Sequence, residues 1–171
     1  MRGIITLAVL VGGFAMTQPV AAQSANARAC DDPAPERAIQ GCTEIIEAGG
    51  ERGMPLFQAH FNRGLAYAQR NRHIDAIADY DAALKIRRKD PAVLQSRCWS
   101  RSVAGRLTQA IEDCNAALAL RPDDPDTLEI RGFTWRKMRE FEKSLADYDA
   151  ALALRPQQAD TLFGRGVTLY D

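Results

Sequence analysis

Histidine is scarce: His60 and His73 are the only two in 171 residues. Neither has a second histidine at helical spacing or a nearby cysteine and carboxylate set, so no metal site is readable. The cysteines include no Cys-x-x-Cys, which argues against redox catalysis. Ser96, Ser100, Ser102 and Ser144 fall within helical pattern rather than on a strained turn, so no nucleophile elbow is present. A glycine-rich phosphate loop is missing as well. Catalysis therefore has no foothold, and no cofactor is expected. Charge of one sign is also lacking, since 22 Lys and Arg balance 22 Asp and Glu. No global field recruits a partner. The Arg87-Arg88-Lys89 cluster reads as cations near a helix C-terminus rather than a nucleic-acid footprint.

The chain has one apolar run, Gly3 to Met16, preceded by Met1-Arg2 and followed by the small residues Val20-Ala21-Ala22. This reads as a secretory signal peptide over 1–22. No later stretch is apolar enough to span a membrane, so no membrane span is expected after signal removal. Removing the leader takes away one arginine and leaves the acids one ahead of the bases. The expected location is extracytoplasmic, periplasmic or secreted if the source is bacterial. What remains suits one domain.

What the chain does have is self-similarity. The stretch Phe57–Asp90, FQAHFNRGLAYAQRNRHIDAIADYDAALKIRRKD, recurs twice downstream at an offset of 34. Numbering Phe57 as position one puts Gly64, Tyr67, Ala76, Tyr80 and Ala83 at positions eight, eleven, twenty, twenty-four and twenty-seven. Cys98, Arg101, Ala110, Cys114 and Ala117 follow in register, and then Gly132, Trp135, Ser144, Tyr148 and Ala151. Ile74, Ile77, Tyr80 and Leu84, and again Leu145, Tyr148 and Leu152, recur every three or four residues and so share one helical face. Neither helix is hydrophobic all round. A single unit cannot bury its stripe alone, and stacking is required.

That period, with small and aromatic residues at those positions and Pro122 and Pro156 closing two units, resembles the tetratricopeptide repeat family. The resemblance implies an all-α, helix-turn-helix solenoid with a concave groove. It divides the chain into units at 57–90, 91–124 and 125–158, with the first helix of an incomplete fourth unit at 159–171. Upstream, ERAIQGCTEII copies a second helix, Ala38 standing for Ala76 and Cys42 for Tyr80. Residues 35–56 are therefore expected to form an N-terminal capping half-repeat and turn, and 23–34 a flexible segment.

The four cysteines of an exported chain suggest disulfides, and spacing favours Cys30 with Cys42 and Cys98 with Cys114. In the second unit both the glycine and the tyrosine position hold cysteine, as a crosslink across an antiparallel helix pair would require. The alternative is small buried thiols at the helix interface. Position seven reads Arg63, Arg97, Arg131 and Arg165, and position twenty-three reads Asp79, Asp113 and Asp147. Structural ion pairing is favoured over an anion-binding row, because the resemblance places position seven on the packed side of the first helix.

Carried over from the family, positions two, five, nine, twelve and thirteen of each first helix line the groove. They supply Phe61, Leu65, Trp99, Phe133, Arg136, Lys137 and Phe163, an aromatic stripe with a polar rim. Leu65 is equally well read as packing against its neighbour. Some members clamp a chaperone's terminal carboxylate; here Asn62 has the right type, but Ser96, Asp126 and Ile130 depart from that pattern. The expected function is a non-catalytic exported module that binds an unknown peptide or protein in its groove. The alternative is a self-assembling scaffold or envelope-complex subunit, with a homodimer through residues 159–171.

Overall fold

The computed structural model describes residues 27–170; the expected signal peptide lies outside the described residues. Its helices are α1 (Pro35–Ala48), α2 (Met54–Gln69), α3 (His73–Ile86), α4 (Pro91–Val103), α5 (Leu107–Leu120), α6 (Pro125–Lys137), α7 (Phe141–Leu154) and α8 (Ala159–Tyr170). Residues 27–30, the first described, are also helical, and no strand occurs among the described residues. Proline opens α1, α4 and α6, where the missing N–H would be unsatisfied in any case. The Asp90 carboxylate caps α4 by accepting from the N–H groups of Ala92 (3.0 Å) and Val93 (3.1 Å).

Between the two helices of each full repeat the chain makes the same turn three times. Asn71, Gly105 and Arg139, all at position fifteen, have φ of 57°, 78° and 65°. The next residue's N–H reaches back to position eleven, to the carbonyls of Tyr67 (2.9 Å), Arg101 (2.8 Å) and Trp135 (3.0 Å). A left-handed residue is needed to aim that bond, and glycine or asparagine supplies it with least strain.

Helices within a repeat pack through positions eight and twenty-four. A Cβ on Gly64 would come within 2.6 Å of the Tyr80 ring, so only glycine admits the tyrosine. A Cβ on Gly132 would lie 3.3 Å from the Tyr148 ring, and one on Gly164, in the next first helix, only 2.7 Å from it. In the second repeat the Cys98–Cys114 disulfide fills that place, with Cα atoms 5.5 Å apart. The Cys30–Cys42 disulfide, with Cα atoms 4.5 Å apart, does the same one unit earlier. The helical residues 27–30 thus stand where a first helix would, and α1 where its second helix would.

Within the segment expected to be flexible over 23–34, residues 27–34 make defined contacts. Besides the disulfide, Asp32 accepts from the Ala34 N–H (2.8 Å) and from Arg37 Nε (2.8 Å) and Nη2 (3.0 Å). The Asn62 amide donates to Asp31 Oδ1 at 2.7 Å. Helix α1 ends at Gly49, whose left-handed backbone returns its N–H to Ile46 O, and the chain turns into α2 at Met54 rather than Phe57.

First helices pack on each other, α2 on α4, α4 on α6 and α6 on α8, whereas second helices do not meet among the described residues. One layer is close-packed and the other splayed, which curves the stack with first helices inside. Small side chains make that approach possible. Ser102 and Thr134 share a hydroxyl contact, and Thr134 donates to Ile130 O at 2.7 Å, all buried between α4 and α6.

The two ways of filling the same slot make a test. Replacing Cys98 and Cys114 with alanine removes crosslink and volume together and should cost about 3 kcal/mol. Cys98→Gly with Cys114→Tyr rebuilds the slot as the flanking repeats have it. Thermal unfolding should show that pair melting well above the alanine pair; equal midpoints would refute the equivalence.

Candidate functional site

Arginine at position seven is where the repeats are joined. Arg63 makes a two-pronged contact with Asp79, Nε to Oδ2 at 2.8 Å and Nη2 to Oδ1 at 2.9 Å. Arg97 does so with Asp113 at 2.8 and 2.6 Å, and Arg131 with Asp147 at 2.7 and 2.7 Å. The remaining nitrogen, Nη1, reaches the preceding unit's second helix. Arg63 donates to Thr43 Oγ1 (3.0 Å), Arg97 to Asp81 Oδ1 (2.5 Å) and Arg131 to Asn115 Oδ1 (2.7 Å). Among the described residues Arg165 makes the backward contact alone, Nε to Asp149 Oδ1 at 2.5 Å. The second acceptor column, Thr43, Asp81, Asn115 and Asp149 at position twenty-five, went unread in the sequence because its residue types change while the acceptor oxygen stays.

The carboxylate at the centre of each fork is buried. The Asp79 side chain is 6% exposed and also receives His60 Nδ1 at 2.9 Å. Burial pushes its carboxyl up, but the His60 and Arg63 hydrogen bonds outweigh that and hold it below the ordinary carboxylate value. His60, at position four, thus serves packing and hydrogen bonding toward α3. Burial raises the Tyr148 phenol to about 12, and the Arg136 hydrogen bond only partly offsets this. Arg136 is therefore tied to the interior of its own repeat.

On the inner layer, Trp99 of α4 and Phe133 of α6 meet with ring centroids 5.3 Å apart. Trp99 keeps 40% of its surface exposed. The cations of Arg136 and Lys137 lie 5.7 and 5.5 Å from the Phe133 centroid, and Lys137 Nζ donates to Ser102 O at 2.6 Å. Phe163 of α8 is 75% exposed. Trp99 and Phe133 therefore form an aromatic pair across neighbouring first helices, and Phe163 is an exposed ring on the next one.

Phe61 and Leu65 sit differently. Phe61 packs between Phe57 (6.2 Å) and Tyr80 (6.1 Å), and Leu65 lies against the same core cluster. This end of the inner face is also shared with the N-terminal segment. Asp31, Asp32, Pro33 and Pro35 face Gln58, Asn62, Leu65 and Gln69 across a hollow of about 300 Å3. Asn62, whose type suits a carboxylate clamp, already donates to Asp31 and to Cys30 O (3.3 Å). Among the described residues no cluster of His, Cys, Asp and Glu could hold a metal ion.

Two measurements test the ladder. Asp113 serves Arg97 and, at 2.8 Å, Arg101, so Asp113→Ala should destabilise by roughly 3 kcal/mol in denaturant unfolding; an unchanged midpoint would count against the forks. Because the folded Asp79 carboxyl lies below its ordinary value of 3.8, its contribution is complete above that pH and lost as pH falls through the folded value. Between pH 5 and 2 the stability of Asp79→Asn should decline less steeply than that of the parent, and parallel profiles would sink the assignment.

A family model for the tetratricopeptide repeat matches residues 57–90. Among solved structures, MamA 41-end from Desulfovibrio magneticus RS-1 has a TM-score of 0.76 at 17% identity, covering 94% of this chain and 86% of that one. The Sgt2 TPR domain from Aspergillus fumigatus gives 0.64 at 21% identity, covering 71% and 83%. The first TPR of Spaghetti (RPAP3), bound to HSP90 peptide SRMEEVD, gives 0.63 at 19% identity, covering 67% and 90%. No curated protein matches the sequence. At such identities the likeness is one of fold, and it agrees with the repeated turns, slots and forks described above. Residues 57–90 are a tetratricopeptide repeat, and the chain has the all-α fold of a tetratricopeptide-repeat solenoid.

Proposed function

We propose that the chain is a non-catalytic, extracytoplasmic interaction module that holds a peptide or an extended segment of a partner protein against the inner layer at Trp99, Phe133 and Phe163. The observation that carries this reading is the Trp99–Phe133 pair, an aromatic contact left half open on a rigid, close-packed layer. Large aromatics on such a base supply much of the energy of protein recognition. The Spaghetti domain, of similar fold, is seen with a bound peptide. Recognition here would not run through a carboxylate clamp, because Asn62 is engaged by Asp31 and the third repeat offers Asp126 and Ile130. Export is supported by two disulfides among four cysteines, a pattern that belongs to oxidising compartments.

A second reading, assembly into an envelope complex or a homodimer through residues 159–171, is favoured by exposed Leu162, Leu169 and Tyr170 on α8.

The groove reading is tested by crosslinking capture from native envelope extract with the parent and a Trp99→Ala, Phe133→Ala variant matched in helicity and melting temperature. The captured partner, purified, should bind the variant about thirtyfold more weakly or worse. Equal binding by both proteins would remove the groove as the site.

A further inference from the structure

Every turn that carries a second helix into the next first helix leaves an apolar side chain in water. Ile86, Leu120 and Leu154 are the last residues of α3, α5 and α7 and are 36%, 42% and 45% exposed. Met54, which opens α2 at the same edge, is 55% exposed. Ile86 and Leu120 are each followed by a further complete helix pair, so their exposure belongs to the edge and not to an end of the stack. Charge divides that edge by turn. The first repeat closes with Lys85, Arg87, Arg88 and Lys89 before Asp90, whereas the second closes with Arg121, Asp123 and Asp124 before Asp126. The turn itself does not require the first set. Its positions twenty-nine, thirty-two and thirty-three hold Lys85, Arg88 and Lys89, but Ala119, Pro122 and Asp123 one repeat on and Ala153, Pro156 and Gln157 after that. All three helices nonetheless end alike, with Arg87, Arg121 and Arg155 returning their N–H groups to the carbonyls of Ala83, Ala117 and Ala151. Lys85, Arg88 and Lys89 are exposed and hold no acid among the described residues, while Arg87 is matched by Asp90 at 3.0 Å. On the acidic turn Asp123 is exposed and equally unengaged, and Asp126 is exposed beside Arg155 at 2.6 Å.

We propose that this edge is a contact between two copies of the chain, related by a two-fold axis that passes between the α3–α4 turn and the α5–α6 turn. Such an axis lays the basic turn of each copy on the acidic turn of the other, and it sets Ile86 of one copy against Leu120 of the second. A two-fold satisfies both patches at once; a head-to-tail shift by one unit would satisfy one and leave the other open. The exposed apolar residues between the charges supply area that water would otherwise hold. An anionic surface fits less well, because a surface broad enough to meet the basic turn would also meet Asp123 and Asp126 one unit away, and like charges cost. The inference goes beyond both readings above, since it uses neither the groove nor residues 159–171.

The experiment is sedimentation velocity on the chain without residues 1–22, over a wide range of protein concentration and at about 50 and about 500 mM salt. The parent should dimerise, at least about tenfold more weakly at the higher salt. Two variants reverse one turn each: Lys85→Glu, Arg88→Glu, Lys89→Glu on the basic side, and Asp123→Lys, Asp126→Lys on the acidic side. All five side chains are exposed, so both variants should melt close to the parent. Each should be monomeric alone, because its two turns then carry the same sign. Mixed together, the two should form a heterodimer, because each offers the other the opposite sign at both contacts. A mixture that stays monomeric overturns the proposal, and so does a parent dimer that either reversal leaves intact. A dimer lost in Trp99→Ala, Phe133→Ala or in Leu169→Glu would place the contact in the groove or on α8 and overturn it as well. So would a parent that stays monomeric; if that monomer floats with phosphatidylglycerol vesicles and the basic-side reversal stops it, the occupant of the basic turn is a membrane.

Discussion

The guanidinium at position seven joins the two things a solenoid must control, the pairing of helices within a unit and the stacking of one unit on the next. Two of its nitrogens grip the aspartate of its own second helix, and the third reaches the second helix of the unit before. The planar fork fixes both distances at once, as a lysine's point charge would not. The Arg97 side chain is 16% exposed and the Asp113 side chain 5% exposed, so the pair is largely withdrawn from water and breaking either half strands a charge. Stacking register is therefore held by charge as well as by shape. Apolar packing alone, through alanines and leucines of similar size, would resist a slip less strongly.

How far this was legible in the sequence depends on whether a column keeps its residue type. Arginine at seven and aspartate at twenty-three repeat unchanged, so their pairing could be read from the period. The acceptors at twenty-five could not, because threonine, aspartate and asparagine share an oxygen and little else. The buried hydroxyls between first helices were hidden for the same reason. Thr134 and Thr168 share position ten but look polar, and only burial shows them as spacers that return their donors to carbonyls of their own helices. In the groove, the family's positional rule named Phe61 and Trp99 alike. Their fates differ because Phe57 and Tyr80 enclose Phe61, while Trp99 meets the Phe133 ring and keeps 40% of its surface exposed.

The N-terminal unit shows a different limit. Its cysteines are separated by 12 residues and those of the second repeat by 16, so no fixed offset relates them. Only the fold shows that both occupy the position-eight to position-twenty-four slot. A sequence pattern finds elements at equal spacing; a changed spacing breaks the period while keeping the contact.

That slot also explains where the disulfides stand. A tyrosine needs a full first helix to cover its ring, as Gly64 and Gly132 lie within helices that bury Tyr80 and Tyr148. Residues 27–30 are tied to α1 by a covalent link instead. The second repeat is a subtler case. It has lost the aromatic at position twenty-four to Cys114 and the aromatic at position eleven to Arg101, whose guanidinium turns to Asp113 instead. With less apolar filling between α4 and α5, the crosslink supplies the rigidity that packing would otherwise give. This is also the repeat that carries Trp99. An aromatic held half open toward solvent adds little to the stability of its own helix pair, so fixing that pair by a covalent bond leaves the ring available for contact without loosening the layer beneath it.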